Sequence, residues 1–405
     1  MLAVAIFGAA YLGIALGRIP GLAIDRVGVA LLGAIAMVVS GVVTLEGAVA
    51  AIHLPTILLL YALMILSAQL RLGGFYTWVA VKIVSCCDRP RIFLGMVMGV
   101  SAVLSALLAN DIVCFALTPV LAVALLKASL NPVPFLIGLA VSSNIGSAAT
   151  IIGNPQNMLI GQTGNLDFAL FFFWCAPPSV LALAAAYGII LWMFRGRFQG
   201  LETSPGTGPM DPGQPFDPWQ TAKGVLAVGV LVLLFLTPVP REYAAMSIAG
   251  VLLCSRKMKT RAITGLVDWH LITLFCALFI IIHGISHSGY LERVMAGLAG
   301  MGLHLTRLPV LTGISAVLSN LFSNVPAAML LTSFLDPADP VQWYTLAVSS
   351  TFAGNLILLG SIANLIVVEQ ARTCGIRISF FRHAAVGIPV TLTSLGVLTL
   401  WFVMV

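Results

Sequence analysis

The chain has 405 residues, 60% of them apolar, and only 20 Lys+Arg and 14 Asp+Glu. A soluble chain carries roughly 25% charged residues; at 8% this one lacks the polar surface that water-soluble cores require. The +6 balance fits basic membrane-flanking loops rather than nucleic acid. Seven scattered cysteines (Cys86, Cys87, Cys114, Cys175, Cys254, Cys276, Cys374) with no CxxC pair indicate neither a disulfide framework nor a metal site.

In chain order, the apolar run 2–17 has no basic segment before it and reads as a first span rather than a cleaved signal. Spans follow at 27–43 and 55–70. The stretch 92–127 exceeds the ~20 residues of one crossing and is interrupted at Ala109-Asn110-Asp111, so it reads as a re-entrant hairpin. Run 133–166 is a long span broken from Ser142-Ser143-Asn144-Ile145-Gly146 through Gly153-Asn154-Pro155-Gln156-Asn157, and 170–194 is the span after it. Gly200–Pro218 is rich in Pro and Gly and reads as a cytoplasmic linker. Spans then recur at 219–237, 242–254 and 269–286. A second hairpin, 309–335, is broken at Phe322-Ser323-Asn324-Val325-Pro326. A second broken span, 341–370, carries Thr351, Gly354-Asn355 and Gly360-Ser361-Ile362-Ala363-Asn364, and 384–405 is the last. The expectation is an all-α polytopic membrane protein of ten spans and two re-entrant hairpins.

Charge sets the orientation. With the N-terminus outside and both hairpins re-entrant, 17 of the 20 basic residues fall on one side; only Arg241, Arg293 and Arg307 fall on the other. That split is a positive-inside signal and places both termini in the periplasm of a bacterial inner membrane.

The halves repeat. Residues 101–110 (SAVLSALLAN) align with 315–324 (SAVLSNLFSN), and Ser142-Ser143 with Gly153 and Asn157 aligns with Ser349-Ser350 with Gly360 and Asn364. Five crossings per half invert the second against the first, so repeat 1 (1–199) and repeat 2 (219–405) flank the linker as an inverted repeat of the kind secondary transporters use. Irregular backbone at membrane depth persists only where protein or a water-filled cavity satisfies it. The polar breaks are therefore the candidate binding site for a solute or ion: Asn110, Ser143, Asn144, Gly146, Gly153, Asn154, Asn157, Ser323, Asn324, Thr351, Gly354, Asn355, Gly360, Ser361 and Asn364.

Asp111 is the one acid placed deep in the membrane, and an intramembrane carboxylate is costly enough to imply function. It is either protonated or beside a bound cation, which makes it the candidate proton-coupling residue. Val325 stands at the matching place in the second hairpin. Glu369 reads as interfacial, His283 and His287 as interfacial or packing histidines, Cys114 as a small apolar residue, and Phe171–Trp174 as an interface belt.

On these residues the chain resembles the ion transporter superfamily, in its arsenite permease and P-protein-like branch, related to divalent-anion/sodium symporters. Ala109-Asn110-Asp111 with Leu117-Thr118-Pro119 resembles the arsenite permease segment, and Ser143-Asn144-Ile145-Gly146 with Ile152-Gly153-Asn154-Pro155-Gln156-Asn157 resembles the broken-span signature. The divalent-anion symporters have Ser-Asn-Thr at both hairpin tips, which this chain lacks. The resemblance implies a homodimer working as an elevator, with scaffold 2–70 and 219–286 and the rest of each half moving. It implies arsenite or antimonite efflux as the neutral trihydroxide in exchange for protons, with no cofactor. A sodium-coupled importer of a carboxylate or inorganic anion and a sodium/proton antiporter are the alternatives. The cytoplasmic loops leave room for an ATPase subunit. No HExxH or GxSxG motif suggests an enzyme.

Overall fold

In lipid every backbone N–H and C=O must be bonded within the protein, and the chain is helical accordingly. The structure, a computed structural model, describes residues 1–16, 23–84, 89–199, 215–286 and 288–404. Most of the linker 200–218, together with Cys86, Cys87 and His287, lies outside the described residues.

Repeat 1 runs α1 (Leu2–Leu16), α2 (Arg26–Val39), α3 (Leu45–Ala51), α4 (Leu54–Leu72), α5 (Phe75–Val84), α6 (Pro90–Leu107), α7 (Asn110–Lys127), α8 (Pro132–Ser147), α9 (Pro155–Thr163) and α10 (Phe168–Met193). Repeat 2 runs α11 (Pro218–Phe235), α12 (Arg241–Leu253), α13 (Thr260–Thr264), α14 (Trp269–Ser286), α15 (Tyr290–Gly300), α16 (Leu308–Phe322), α17 (Asn324–Thr332), α18 (Pro340–Ala353), α19 (Ile362–Thr373) and α20 (Phe380–Met404). A 3-10 turn, Leu358–Gly360, precedes α19. Four starts share one local code, an Asx residue followed by Pro. Asn131, Asn154, Asp217 and Asp339 each accept a first-turn N–H at the N-cap while Pro occupies N1, where its fixed φ and missing donor cost nothing.

The expected breaks fall between helices. The first hairpin is α6 and α7, joined across Leu108-Ala109; the second is α16 and α17, joined at Ser323. The broken spans are α8–α9 and α18–α19. Four short helices that the apolar runs did not mark, α3, α5, α13 and α15, repeat as pairs in the two halves, with α5 and α15 each leading into a hairpin. Among the described residues seven helices are long and apolar enough to cross a membrane, α6 and α7 among them. Length alone thus does not mark the first hairpin as re-entrant; the loop charges carry that reading. Span 242–254 shortens to the 13 residues of α12.

Packing sorts the helices into two groups. In one, α2 lies against α1 and α14, and α4 against α11 and α12; in the other, α6 packs on α8, α16 on α18, α10 on α20 and α7 on α19. The groups meet where α4 touches α9, α1 touches α16 and α14 touches α17. The repeat is visible in side chains as well: the Ser101 and Ser142 hydroxyls pair across α6–α8, and Ser315 and Ser349 pair across α16–α18 at 2.5 Å. The expected belt is only half a belt. Phe172 and Phe173 are exposed, but Phe171 is fully buried edge-on against Tyr344, and Trp174 stacks between Tyr344 and Phe402, because two closely packed helices cover that face of α10. Glu369 lies on the surface, 3.9 Å from Arg372.

Candidate functional site

The first hairpin tip and the second repeat's break converge on Asn144, near the end of α8 and 1% exposed. Its Oδ1 accepts from Asn110 Nδ2 at 3.1 Å and from Ser361 Oγ at 2.9 Å. Its Nδ2 donates to Asn355 Oδ1 at 2.8 Å and Asn364 Oδ1 at 3.1 Å. One amide thus joins the first hairpin to both sides of the second repeat's break.

The mirror arrangement is built around Thr351, which occupies in repeat 2 the place of Asn144. Thr351 Oγ1 accepts from Asn154 Nδ2 at 3.2 Å and from Gln156 Nε2 at 3.3 Å. Asn154 and Ser361 are likewise equivalent, so each second half-helix reaches across to the first half-helix of the other repeat. The deeper pair Asn157 and Asn364 closes each break on itself: Asn157 Nδ2 donates to Ser147 O at 3.3 Å and Thr150 O at 3.0 Å, and Asn364 Nδ2 to Gly354 O at 2.8 Å. Asn324 in the second tip, with its amide oriented to satisfy both atoms, donates to Gly360 O and Ser350 O at 3.0 and 3.1 Å. Each carboxamide replaces backbone partners that an unbroken helix would have supplied.

Other expected site residues do different work. Ser143 binds Ser105 Oγ at 2.7 Å and Asn110 O at 3.2 Å, bracing the hairpin tip from behind. Gly146 permits close approach: a Cβ there would meet Ala102 O at 2.3 Å and its Cα at 2.4 Å, backbone that cannot swing aside. Gly153 lies equally tight against the Ser147 backbone, while its own carbonyl accepts from Asn110 N at 3.1 Å. Ser323 makes no side-chain hydrogen bond at its cap position and holds φ at +76° with ψ at 158°, a region that is essentially glycine's. Such strain clusters at functional sites.

Asp111 is on the second residue of α7 and forms a wall common to two small cavities. One, about 20 Å³, lies between the tips and is lined by Asn110, Gln156, Ser323, Asn324 and Ser361. The other, about 50 Å³, opens toward Leu60, Met64 and Leu271 of the first packing group and contains a second carboxylate, Asp268. Among the described residues no hydrogen-bond donor or cation contacts Asp111, and neither cavity is lined by Lys, Arg or His. Asp268 caps α14, accepting from the Leu271 N–H at 2.9 Å, and only the fold brings it to the cavity of Asp111. Two amide atoms at the site, Asn110 Oδ1 and Asn355 Nδ2, are buried without a partner. Buried polar groups are nearly always paired, so these two atoms are exceptions in the protein's own hydrogen bonding. Among the described residues no group of three His, Cys, Asp or Glu could hold a metal ion.

Comparison with known proteins supports this architecture. Residues 11–353 match the family model described as citrate transporter (CitMHS). The silicon efflux transporter LSI3 of Oryza sativa is 29% identical over 96% of this chain and 95% of its own length. The inner membrane protein YbiR of Escherichia coli is 30% identical over 80% of this chain and 81% of its own. The putative transporter arsB of Dictyostelium discoideum is 23% identical over 92% and 86%. Among solved structures, the YdaH transporter of Alcanivorax borkumensis superimposes over 100% of this chain and 97% of its own with a TM-score of 0.61 at 13% identity, a likeness of fold. With a family match across most of its length and polar breaks gathered at one buried centre, the chain is a multi-pass membrane transporter of the secondary type and belongs to the CitMHS family of the ion transporter superfamily.

Proposed function

We propose that the protein exchanges a small neutral polyhydroxyl solute, arsenite or antimonite as the trihydroxide, for protons across a bacterial inner membrane. One observation carries the reading: the cavity between the hairpin tips is lined by amides, hydroxyls, apolar groups and Asp111, its neighbour by apolar groups and the carboxylates of Asp111 and Asp268, and neither by a basic side chain among the described residues. A tricarboxylate would enter without a cationic partner and against Asp111, whereas a neutral trihydroxide meets donors and acceptors that match its own. The names of two relatives, a silicon efflux transporter and a putative transporter arsB, lend support.

In this mechanism Asp111 carries the proton, and Asn110, Asn144, Ser323, Asn324, Asn355 and Ser361 hold the solute. The 20 Å³ cavity has room for about one water, so the solute enters only when the tips part. The first packing group acts as a fixed scaffold in a homodimer, and the second moves as an elevator, exposing one hairpin and then the other.

A second reading is a sodium-coupled carboxylate importer, favoured by the family's description as citrate transporter. Flux into everted vesicles separates the two. The exchange reading expects arsenite to accumulate under an imposed proton gradient, with sodium without effect, and expects Asp111→Asn to abolish it. Sodium-driven uptake of citrate that survives Asp111→Asn, with no arsenite movement, would overturn it.

A further inference from the structure

The two packing groups meet mostly through apolar side chains. Leu60, Leu63 and Met64 of α4 face Pro155 and Met158 of α9 across the 50 Å³ cavity, and Tyr11 of α1 lies edge-on to Phe322 at 5.1 Å. Such surfaces slide past one another with little change in energy, since dispersion contacts are exchanged for similar ones. Polar ties are sparse in comparison: Tyr11 OH donates to Pro326 O at 3.2 Å, and Arg71 lies over the Phe115 ring at 4.3 Å.

One place differs. Arg241, the first residue of α12, donates from one guanidinium nitrogen to Leu166 O at 2.8 Å and from another to Gly161 O at 2.9 Å. Both carbonyls lie at or just past the end of α9, at the negative end of its dipole; Gly161 O also accepts from Leu166 N at 3.0 Å, so Arg241 takes its second lone pair. The next residue, Glu242, accepts from Gln162 Nε2 at 3.2 Å. Three hydrogen bonds, all to a charged donor or acceptor, therefore tie two adjacent residues of α12 to the last turn of α9 and the loop just past it. They border a cleft of about 490 Å³ lined also by His53, Asn165 and Asp167, wide enough for water to replace each bond as it breaks.

We infer that Arg241 and Glu242 form a latch that holds α9, and through it the closed arrangement of the hairpin tips, and that the latch opens once in every transport cycle. α9 is the element through which the hold reaches the site. It begins at Pro155, beside Asp111, it packs on α17 of the second hairpin, and Asn154 at its cap binds Thr351. Arg241 is thus a positioning residue; it acts through α9 and touches no solute. Arginine suits the task because its fork satisfies two carbonyls at once, which lysine does not. The latch rests on the reading that the two packing groups move relative to one another.

The test places cysteines at Gln162 and Glu242 in a chain whose seven native cysteines are replaced, and bridges them with a short reducible thiol cross-linker in proteoliposomes. Bridging is expected to lower arsenite–proton exchange about tenfold or more, as for a step that gates turnover, and reduction to restore it; unchanged flux across the bridge would overturn the latch. If the unbridged protein moves no arsenite, it is the solute reading that has failed, and amide hydrogen exchange then decides. Arg241→Ala should quicken exchange at both tips, residues 108–112 and 322–325, with Arg241→Lys intermediate and α4 unchanged. Quickening confined to 161–167 would reduce Arg241 to a helix cap and overturn the proposal.

Discussion

Removing the Asn144 carboxamide is the most direct test of how the site is built. Asn144→Ala deletes four hydrogen bonds, two accepted and two donated. Their partners are Asn110, Ser361, Asn355 and Asn364, none more than 4% exposed, so water does not replace what is lost. At about 1 kcal/mol net for each buried bond the loss is about 4 kcal/mol. The partners do not suffer equally. Asn364 keeps Gly354 O and Ile357 O, whereas Asn355, whose Nδ2 is already unpaired, loses its Oδ1 partner as well. Asn144→Asp is the companion variant: it keeps the acceptor for Asn110 and Ser361 but sets an oxygen against the Asn355 and Asn364 oxygens. Melting of the purified protein in detergent should fall by several degrees for both variants, with flux abolished. If both melted with the wild type, Asn144 would not be the joint between the repeats, and the site described above would be wrong.

Gly146→Ala places a methyl group against the Ala102 backbone. An expected cost of about 1–3 kcal/mol for overpacking would appear as lower melting and less folded protein, while the same change at Gly99, where the space is open, should have no effect. Asp217 caps α11 by accepting from Gln220 N and Trp219 N and pairs with Lys257 at 3.5 Å. The Gln220 N–H first, then Lys257 and the Trp219 N–H, hold its carboxyl below the usual carboxylate range. Its contribution is therefore present above the ordinary carboxylate pKa and fades as pH falls through the depressed one. Asp217→Ala should melt lower than wild type at neutral pH, and the two curves should converge in acid.

Local codes were readable in the sequence, and distant partnerships were not. The Asx-Pro pairs at 131–132, 154–155, 217–218 and 339–340 mark helix starts by chemistry confined to one turn. The polar breaks declare themselves against an apolar background, and the repeat shows in ten consecutive residues. What the sequence withholds is which amide meets which: nothing near Asn144 says that its partners are Asn355 and Asn364 rather than Asn324 of the second tip. Asp268 resembles any helix-capping acid until α14 is packed beside the first hairpin. Phe171 and Phe173 have the same chemistry two residues apart, yet one is core and the other lipid-facing, because only the position of α18 distinguishes them. Arg241 stands out in the sequence as one of three cations expected on its side, but its carbonyl partners are 75 and 80 residues away.

Those separations also bear on how the molecule comes to exist. Asn144 lies 211 and 220 residues before its partners, and Tyr11 lies 315 before Pro326. While the chain is made, repeat 1 is in the bilayer long before α18 and α19 emerge, with Asn144 holding an Nδ2 whose partners, Asn355 and Asn364, do not yet exist. The first repeat is therefore an incomplete object until the last fifth of the chain arrives, and its breaks are the segments quality-control proteases would meet. Supplying repeat 2 as a separate chain, inserted alongside, should rescue repeat 1 from degradation only if that second chain keeps Asn355 and Asn364.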